Sequence, residues 1–315
     1  MSQRLIRRSL SEKARAIMIG YAQLRPGRGF SLRSAIMYYA QRLVTWPILR
    51  RLVCRGLAAS IRLRHGQAGA VLGISAARRV VQDLGREGLA MMPPFAIPGG
   101  VAGIMEYLRG EKVIGPDGRP VRLEDLPSGT RMASYPLAAV LACPGLLAAI
   151  NDPAILGIAS EYLGCKPTIS SIGIRWSFPS PASPAETQLF HRDPDDWRFL
   201  KLFVYLSDVD VQSGPHAYVL GSHQTAATLR AKPFRHDALV RDYGRDNILV
   251  VTGAAGTTFI ADTHGIHMGI PPSAGARLIL QVQYSLLPIF AFQYQPAKLV
   301  DGPPVDGYVN RLIVA

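Results

Sequence analysis

Cysteine is scarce: Cys54, Cys143 and Cys165 are the only three, and they stand far apart. An odd number with no CxxC pair excludes a disulfide framework and a cysteine zinc site, so buried thiols in a reducing compartment, the cytoplasm, are expected. No stretch reaches the ~18 uninterrupted apolar residues of a spanning helix. Arg and Lys recur through the first eighty residues, which leaves no place for the single apolar run of a secretory signal. Acidic residues are almost missing from that same region. Residues 1–80 hold sixteen Arg and Lys against Glu12 alone, a charge of +15, while the remainder holds nineteen basic and twenty-one acidic residues, a charge of −2. The net charge of +13 therefore belongs to the N-terminal quarter. The rest lacks the basic face that a nucleic-acid binder presents, so no nucleic-acid partner is expected.

What is present suits a turn-rich globular fold. The 315 residues are 48% apolar, with 30 Gly and 24 Pro, enough for one catalytic domain plus an extension. Residues 1–80 read as a basic, mostly helical extension, with 81–315 as the main domain. Within the extension, Ser34–Leu49 and Leu52–Leu63 mix apolar and Arg positions at helical spacing. They can pack on the main domain with Arg stems over apolar surface. Alternatively they form an interfacial segment for a membrane surface or an acidic partner, since Arg with Trp, Tyr, Leu and Ile suits a headgroup boundary. Further on, Ala102–Gly110, Tyr135–Ala149 and Asp152–Leu163 look helical, the last capped by Asn151 and stopped by Gly164. After Cys165 the texture turns to strands: Thr168–Phe178, Glu186–His191, Arg198–Ser207, Ala217–Leu220, Asn247–Thr252, Gly256–Asp262 and Ala276–Leu287. Helices first and many short strands afterwards predict a mainly β jelly roll with flanking helices, its core strands lying within about 168–287.

One constellation carries chemistry. In Phe190-His191-Arg192-Asp193-Pro194, an extended backbone points the side chains of His191 and Asp193 to the same side. A lone HxD is common, and its weight comes from a third ligand downstream. Asp262-Thr263-His264-Gly265-Ile266-His267 offers two, His264 and His267. Two imidazoles and one carboxylate make the facial triad of non-haem Fe(II) oxygenases, whose open positions accept a co-substrate and O2. Arg277 begins a strand in which Leu278, Leu280 and Val282 alternate to the other face. An inward guanidinium needs an anion, and a carboxylate such as that of 2-oxoglutarate fits its fork.

These residues resemble the phytanoyl-CoA dioxygenase family. The likeness lies in QLFHRDPDDWRFLKLFVYLSDVDVQSGPHAYVLGSHQ, from Gln188, and in GTTFIADTHGIHMGIPPSAGARLILQVQY, from Gly256 to Tyr284. It covers roughly residues 85–290 and leaves the basic N-terminus outside. Its most specific parts are the HxD, the GSH turn at 221–223, and the His-x-Gly followed ten residues after its His by Arg. The resemblance implies a double-stranded β-helix, with His191, Asp193 and His267 as metal ligands and Arg277 at the 2-oxoglutarate. It further implies decarboxylation of 2-oxoglutarate to succinate and CO2, coupled to hydroxylation of an unactivated C–H bond. Related halogenases lack the carboxylate that Asp193 supplies here.

Around this set, Gln188, close upstream of His191, is read either as reaching the co-substrate or substrate, or as making a cross-strand hydrogen bond. His264 becomes a neighbour of the site or a solvent-facing residue, and His216 and His223 become turn or strand-end residues, either of which could line the mouth. Lys201 is expected to snorkel or to pair with an acid of DPDD. One of Arg175 and Trp176 should face inward. The expected substrate is a small-molecule or lipid-like metabolite shaped by Met91–Pro98, Pro179–Ala185 and Thr225–Asp246. The last segment carries Arg230, Lys232, Arg235 and Arg241, which read as a solvated loop or as a lid over an acidic group. A jelly-roll metal enzyme without 2-oxoglutarate and a non-catalytic module of the same fold are the alternatives, and the first leaves Arg277 without a task.

Overall fold

The computed structural model describes residues 32–44, 46–67, 75–181, 183–184, 186–225, 233–299 and 302–315. Helix α1 runs over Leu32–Leu43 and α2 over Pro47–His65. The single helix expected over Ser34–Leu49 is thus broken. Proline lacks the amide donor and its ring clashes with a preceding helical turn, so Pro47 starts a new helix instead of continuing the old one. Helix α3 (Ser75–Glu87) leads into strand β1 (Leu89–Met92), and α4 spans Gly100–Arg109. Three short strands follow, β2 (Val113–Ile114), β3 (Pro120–Val121) and β4 (Met132–Ser134). The helical stretch expected over Tyr135–Ala149 is two pieces, α5 (Leu137–Ala142) and α6 (Leu146–Ile150), separated by Pro144-Gly145.

Helix α7 (Pro153–Leu163) is capped by Asp152, not Asn151: the Asp152 carboxylate accepts the amides of Ala154 and Ile155. Pro153 at the first helical position fixes the cap one residue before it. Asn151 instead donates to the Leu147 carbonyl and to Asn310. Gly164, at φ 79°, ends the helix as expected. The three thiols are free and buried.

The remaining strands are β5 (Thr168–Ser177), β6 (Phe199–Tyr205), β7 (His216–Val219), β8 (Ile248–Val251), β9 (Thr258–Ala261), β10 (His267–Gly269) and β11 (Arg277–Ser285). No strand covers Glu186–His191; Glu186–Gln188 is a 3-10 turn. An eight-stranded antiparallel sheet has the order β1-β9-β6-β11-β5-β4-β2-β3, and a second sheet has the order β10-β7-β8. Phe203, Tyr205, Phe259 and Ile279 of the large sheet pack on Tyr218 and Val251 of the small one. The opposite face of the large sheet, Leu200, Leu202, Val204, Leu278, Leu280 and Val282, packs under the helices in the largest core. This is a mainly β jelly roll, a double-stranded β-helix, with flanking helices. Its alternation leaves Lys201 and Phe203 of β6, and Arg277, Ile279 and Gln281 of β11, on the interior side.

The first two helices are fastened to the segment that follows the HxD. Buried Arg50 donates to the carbonyls of Asp196 (2.6 Å) and Gln41 (3.1 Å), and the Cys54 thiol reaches the Trp197 carbonyl at 3.4 Å. Helix α8 (His236–Tyr243) and α9 (Gly307–Asn310) complete the described elements.

Candidate metal centre

The HxD segment lies antiparallel to the start of β10. His191 and His267 exchange both backbone hydrogen bonds at 2.9 Å, and the Asp193 amide donates to the Thr263 carbonyl at 2.9 Å. An extended backbone with this pairing turns His191 and Asp193 toward His267. The three side chains offer one donor atom each within 4.8 Å of one another. Nδ1 of His191 is 2.7 Å from the Leu189 carbonyl, and Nδ1 of His267 is 3.0 Å from the Gly265 carbonyl. Those carbonyls can only accept, which assigns the ring protons to Nδ1 and leaves both Nε2 lone pairs aimed inward. Nε2 of His191 is buried and makes no hydrogen bond.

Asp193 is braced by a buried ammonium. Lys201 Nζ lies 2.5 Å from its Oδ2 and 3.2 Å from Asp195, so the lysine takes the pairing role expected for it and does not reach solvent. Asp193 Oδ1 faces Nε2 of His191 at 3.3 Å. Burial pushes the Asp193 carboxyl up, but Lys201 and then the two histidines outweigh it and hold it well below the usual range. Burial lowers His267, while at His191 the adjacent Asp193 overcomes burial and the net shift is upward. An ionised carboxylate and two inward imidazole nitrogens, with no thiol nearby, fit a divalent iron and leave half of an octahedral shell open. The residues therefore pass the chemical test for a facial-triad metal.

The same cavity, about 90 Å³, is lined by Arg175, Thr187, Phe203, His216, Ile279 and Arg277 together with the triad and Lys201. Arg277 is 5% exposed. One of its terminal nitrogens donates to the Gly214 carbonyl and the other reaches Ser177 Oγ at 3.4 Å. Among the described residues no carboxylate lies within ion-pair reach of it, and burial lowers its guanidinium to about 10, still a cation at neutral pH. A buried cation satisfied only by neutral oxygens is costly and invites an anion. Gly269 explains the His-x-Gly spacing: a Cβ there would sit 2.9 Å from Arg277 Nη2. Gly214 turns at φ 79°, where a Cβ would strike the Ile270 carbonyl at 2.5 Å, and its own carbonyl receives Arg277.

Not every candidate joins the cluster. His264 is not one of the three ligands; it lies against the Asp193 backbone as a neighbour of the site and lines a different cavity, with burial lowering its imidazole to about 3. Gln188 is buried on the 3-10 turn, three residues before His191, so strand alternation does not place it beside the triad; it is not among the residues lining this cavity. Of Arg175 and Trp176, the arginine faces the cavity, and Trp176 packs on the helical side with its indole donating to Tyr135.

His216 is the first residue of β7, the strand end expected for it, and it lines the cavity, its ring 5.5 Å from that of His267, with a buried Nε2 that makes no hydrogen bond. Alternation was the available signal, because it shares a face with inward Tyr218.

Met91–Pro98 was expected to shape the pocket. Met91, Met92 and Pro93–Ala96 instead line a separate cavity of about 570 Å³ against α3 and α7. Of the charged residues in Thr225–Asp246, Arg235 and Arg241 are exposed and pair with Asp237 and Asp242, as a solvated segment does, while Arg230 and Lys232 lie outside the described residues.

No protein-family model matches the chain, and no curated protein matches it by sequence. Solved structures do. EctD from S. alaskensis is 18% identical with a TM-score of 0.52, over 79% of this chain and 91% of EctD. HygX from Streptomyces hygroscopicus, solved with nickel and 2-oxoglutarate bound, is 16% identical with a TM-score of 0.48, over 70% of this chain and 90% of HygX. The non-heme alpha ketoglutarate dependent carbocyclase SnoK from nogalamycin biosynthesis is 21% identical with a TM-score of 0.48, over 70% and 87%. The likeness to EctD is one of fold.

Proposed function

We propose that this chain is an Fe(II)- and 2-oxoglutarate-dependent oxygenase that hydroxylates an unactivated C–H bond of a small-molecule or lipid-like metabolite. The observation that carries the reading is a His-Asp-His cluster sharing one small cavity with a buried guanidinium that has no carboxylate partner among the described residues. His191, Asp193 and His267 would hold the ferrous ion through two Nε2 atoms and one carboxylate oxygen. Lys201 keeps the other Asp193 oxygen engaged, so the carboxylate is oriented and stays ionised. Arg277 would take the distal carboxylate of 2-oxoglutarate bidentately, and Ser177 and the Gly214 carbonyl fix the fork's orientation. When bound, the ferrous ion and the 2-oxo acid supply activation of O2, with succinate and CO2 as co-products. Phe203 and Ile279 make part of the cavity wall apolar, with Phe259 stacked behind Phe203, which limits the access of bulk water to the reacting atoms.

The test is succinate formation by purified chain given Fe(II), 2-oxoglutarate and O2. The expected result is succinate formed at a slow basal rate and accelerated by extract fractions containing the substrate. An Asp193→Ala variant that makes succinate as fast as the wild type would reject the assignment.

A further inference from the structure

Seven arginines and no acid occur between residues 32 and 67. Most of the large apolar side chains exposed on the described surface are in the same stretch: Ile36, Leu43, Trp46, Ile48, Leu49, Leu52 and Leu63. Trp46 is 64% exposed and Leu63 88%. They are ordered by the helix. At 3.6 residues per turn, Arg50, Cys54, Ala58 and Ile61 of α2 form the buried stripe. Ile48, Leu52 and Leu63 lie opposite it, with the small residues Gly56 and Ala59 between them. Arg51, Arg55 and Arg62 fall along one flank between the two.

That flank opens on a cleft of about 790 Å³ between α2, α7 and the Trp197-Arg198 segment. Arg50, Arg51, Arg55, Arg62 and Arg198 line it against two acids, Glu161 and Asp262. Asp262 already accepts the Tyr162 hydroxyl at 2.6 Å, and the Arg198 guanidinium lies on the Tyr162 ring at 4.0 Å. Among the described residues none of these five arginines has a carboxylate within ion-pair reach. No described helix is long and apolar enough to cross a membrane.

We propose that the outward face of α1 and α2 docks this protein onto an anionic phospholipid bilayer. Trp46, Ile48, Leu52 and Leu63 enter the headgroup–acyl boundary, and the arginine cleft beside α2 takes a lipid phosphate. The ridge carries exposed apolar side chains, and α1 and α2 contribute arginines and no acid beside it, so a second copy would bring like charges together, whereas an anionic headgroup layer complements both features. Arg stems can lie along the ridge while their guanidinium groups stay at phosphate level.

The experiment is flotation of the full-length chain with phosphatidylcholine vesicles, with and without phosphatidylglycerol. Binding to the anionic vesicles alone is expected, with a blue shift in tryptophan emission from Trp46, because Trp197 is buried and Trp176 half-buried. Replacing Arg51, Arg55 and Arg62 by Gln should weaken binding by roughly a hundredfold, about fivefold per charge. The set Trp46→Ser, Leu52→Ser and Leu63→Ser should weaken it at least tenfold with an unchanged melting profile. Removing Arg119 and Arg235, exposed elsewhere, should leave binding as it was. Indifference of the wild type to vesicle charge, an unshifted emission, full binding by the serine set, or a dimer dissolved by that set would each overturn the proposal.

Discussion

The barrel interior and the α1–α2 surface both hold arginines with no ion-paired acid among the described residues, yet they make different demands. Arg277 is buried and, among the described residues, keeps two neutral oxygen partners, so its charge is an unmet cost that a bound carboxylate relieves. Arg51, Arg55 and Arg62 remain hydrated at a cleft, and their charge is a field that draws an anionic layer without requiring one. Removing the first kind should abolish a specific ligand, and removing the second should only tune a surface affinity.

The largest expected effect is at the triad. His267→Ala should eliminate stoichiometric Fe(II) binding and lower succinate formation at least about a thousandfold, whereas His264→Gln should change either by less than about threefold. Isothermal titration with Fe(II) under anaerobic conditions separates the two histidines. Next, Arg277→Gln should raise the KM for 2-oxoglutarate by about a hundredfold while Fe(II) affinity stays close to that of the wild type. Loss of iron instead would mean that the arginine supports the fold of the site and not the co-substrate.

Lys201→Met leaves Asp193 and Asp195 buried together without their cation. About 3 kcal/mol of stability should go, read by urea unfolding, with metal affinity falling ten- to a hundredfold. Gly269→Ala is milder. Its Cβ displaces the Arg277 fork and should raise the KM for 2-oxoglutarate severalfold, as steady-state assays over a 2-oxoglutarate series would register. The smallest effect is expected at the surface: Leu52→Ser should shift stability by no more than about 0.5 kcal/mol and leave succinate formation in solution unaltered. A large loss of activity there would join the two regions that the comparison separates.

The same contrast accounts for what was legible beforehand. HxD spacing and the alternation of β5, β6 and β11 announce a barrel wall, because extended backbone imposes a two-residue period on side chains. The choice between His264 and His267 was not open to spacing alone. It depends on where a three-residue strand begins, and β10 is too short to show alternation. The hairpin β2–β3 has two-residue strands and leaves as little trace. Glu186–Gln188 misled because its flanking residues look strand-like, while the turn is set by tertiary packing around buried Gln188. Asn151 and Asp152 are both good capping residues, and Pro153 decides between them. For Lys201 the sequence leaves two choices, snorkelling or pairing with an acid of DPDD, and the fold decides for the second by bringing Asp193 and Asp195 to it.

Anaerobic addition of Fe(II) and then 2-oxoglutarate, followed by visible absorption, tests the central assignment most directly. One equivalent of iron should bind per chain, and the weak charge-transfer band of a chelated 2-oxo acid should appear only with both present. Arg277→Gln should require more 2-oxoglutarate to reach the same band. A spectrum that stays blank in the wild type at saturating iron and 2-oxoglutarate would contradict the account.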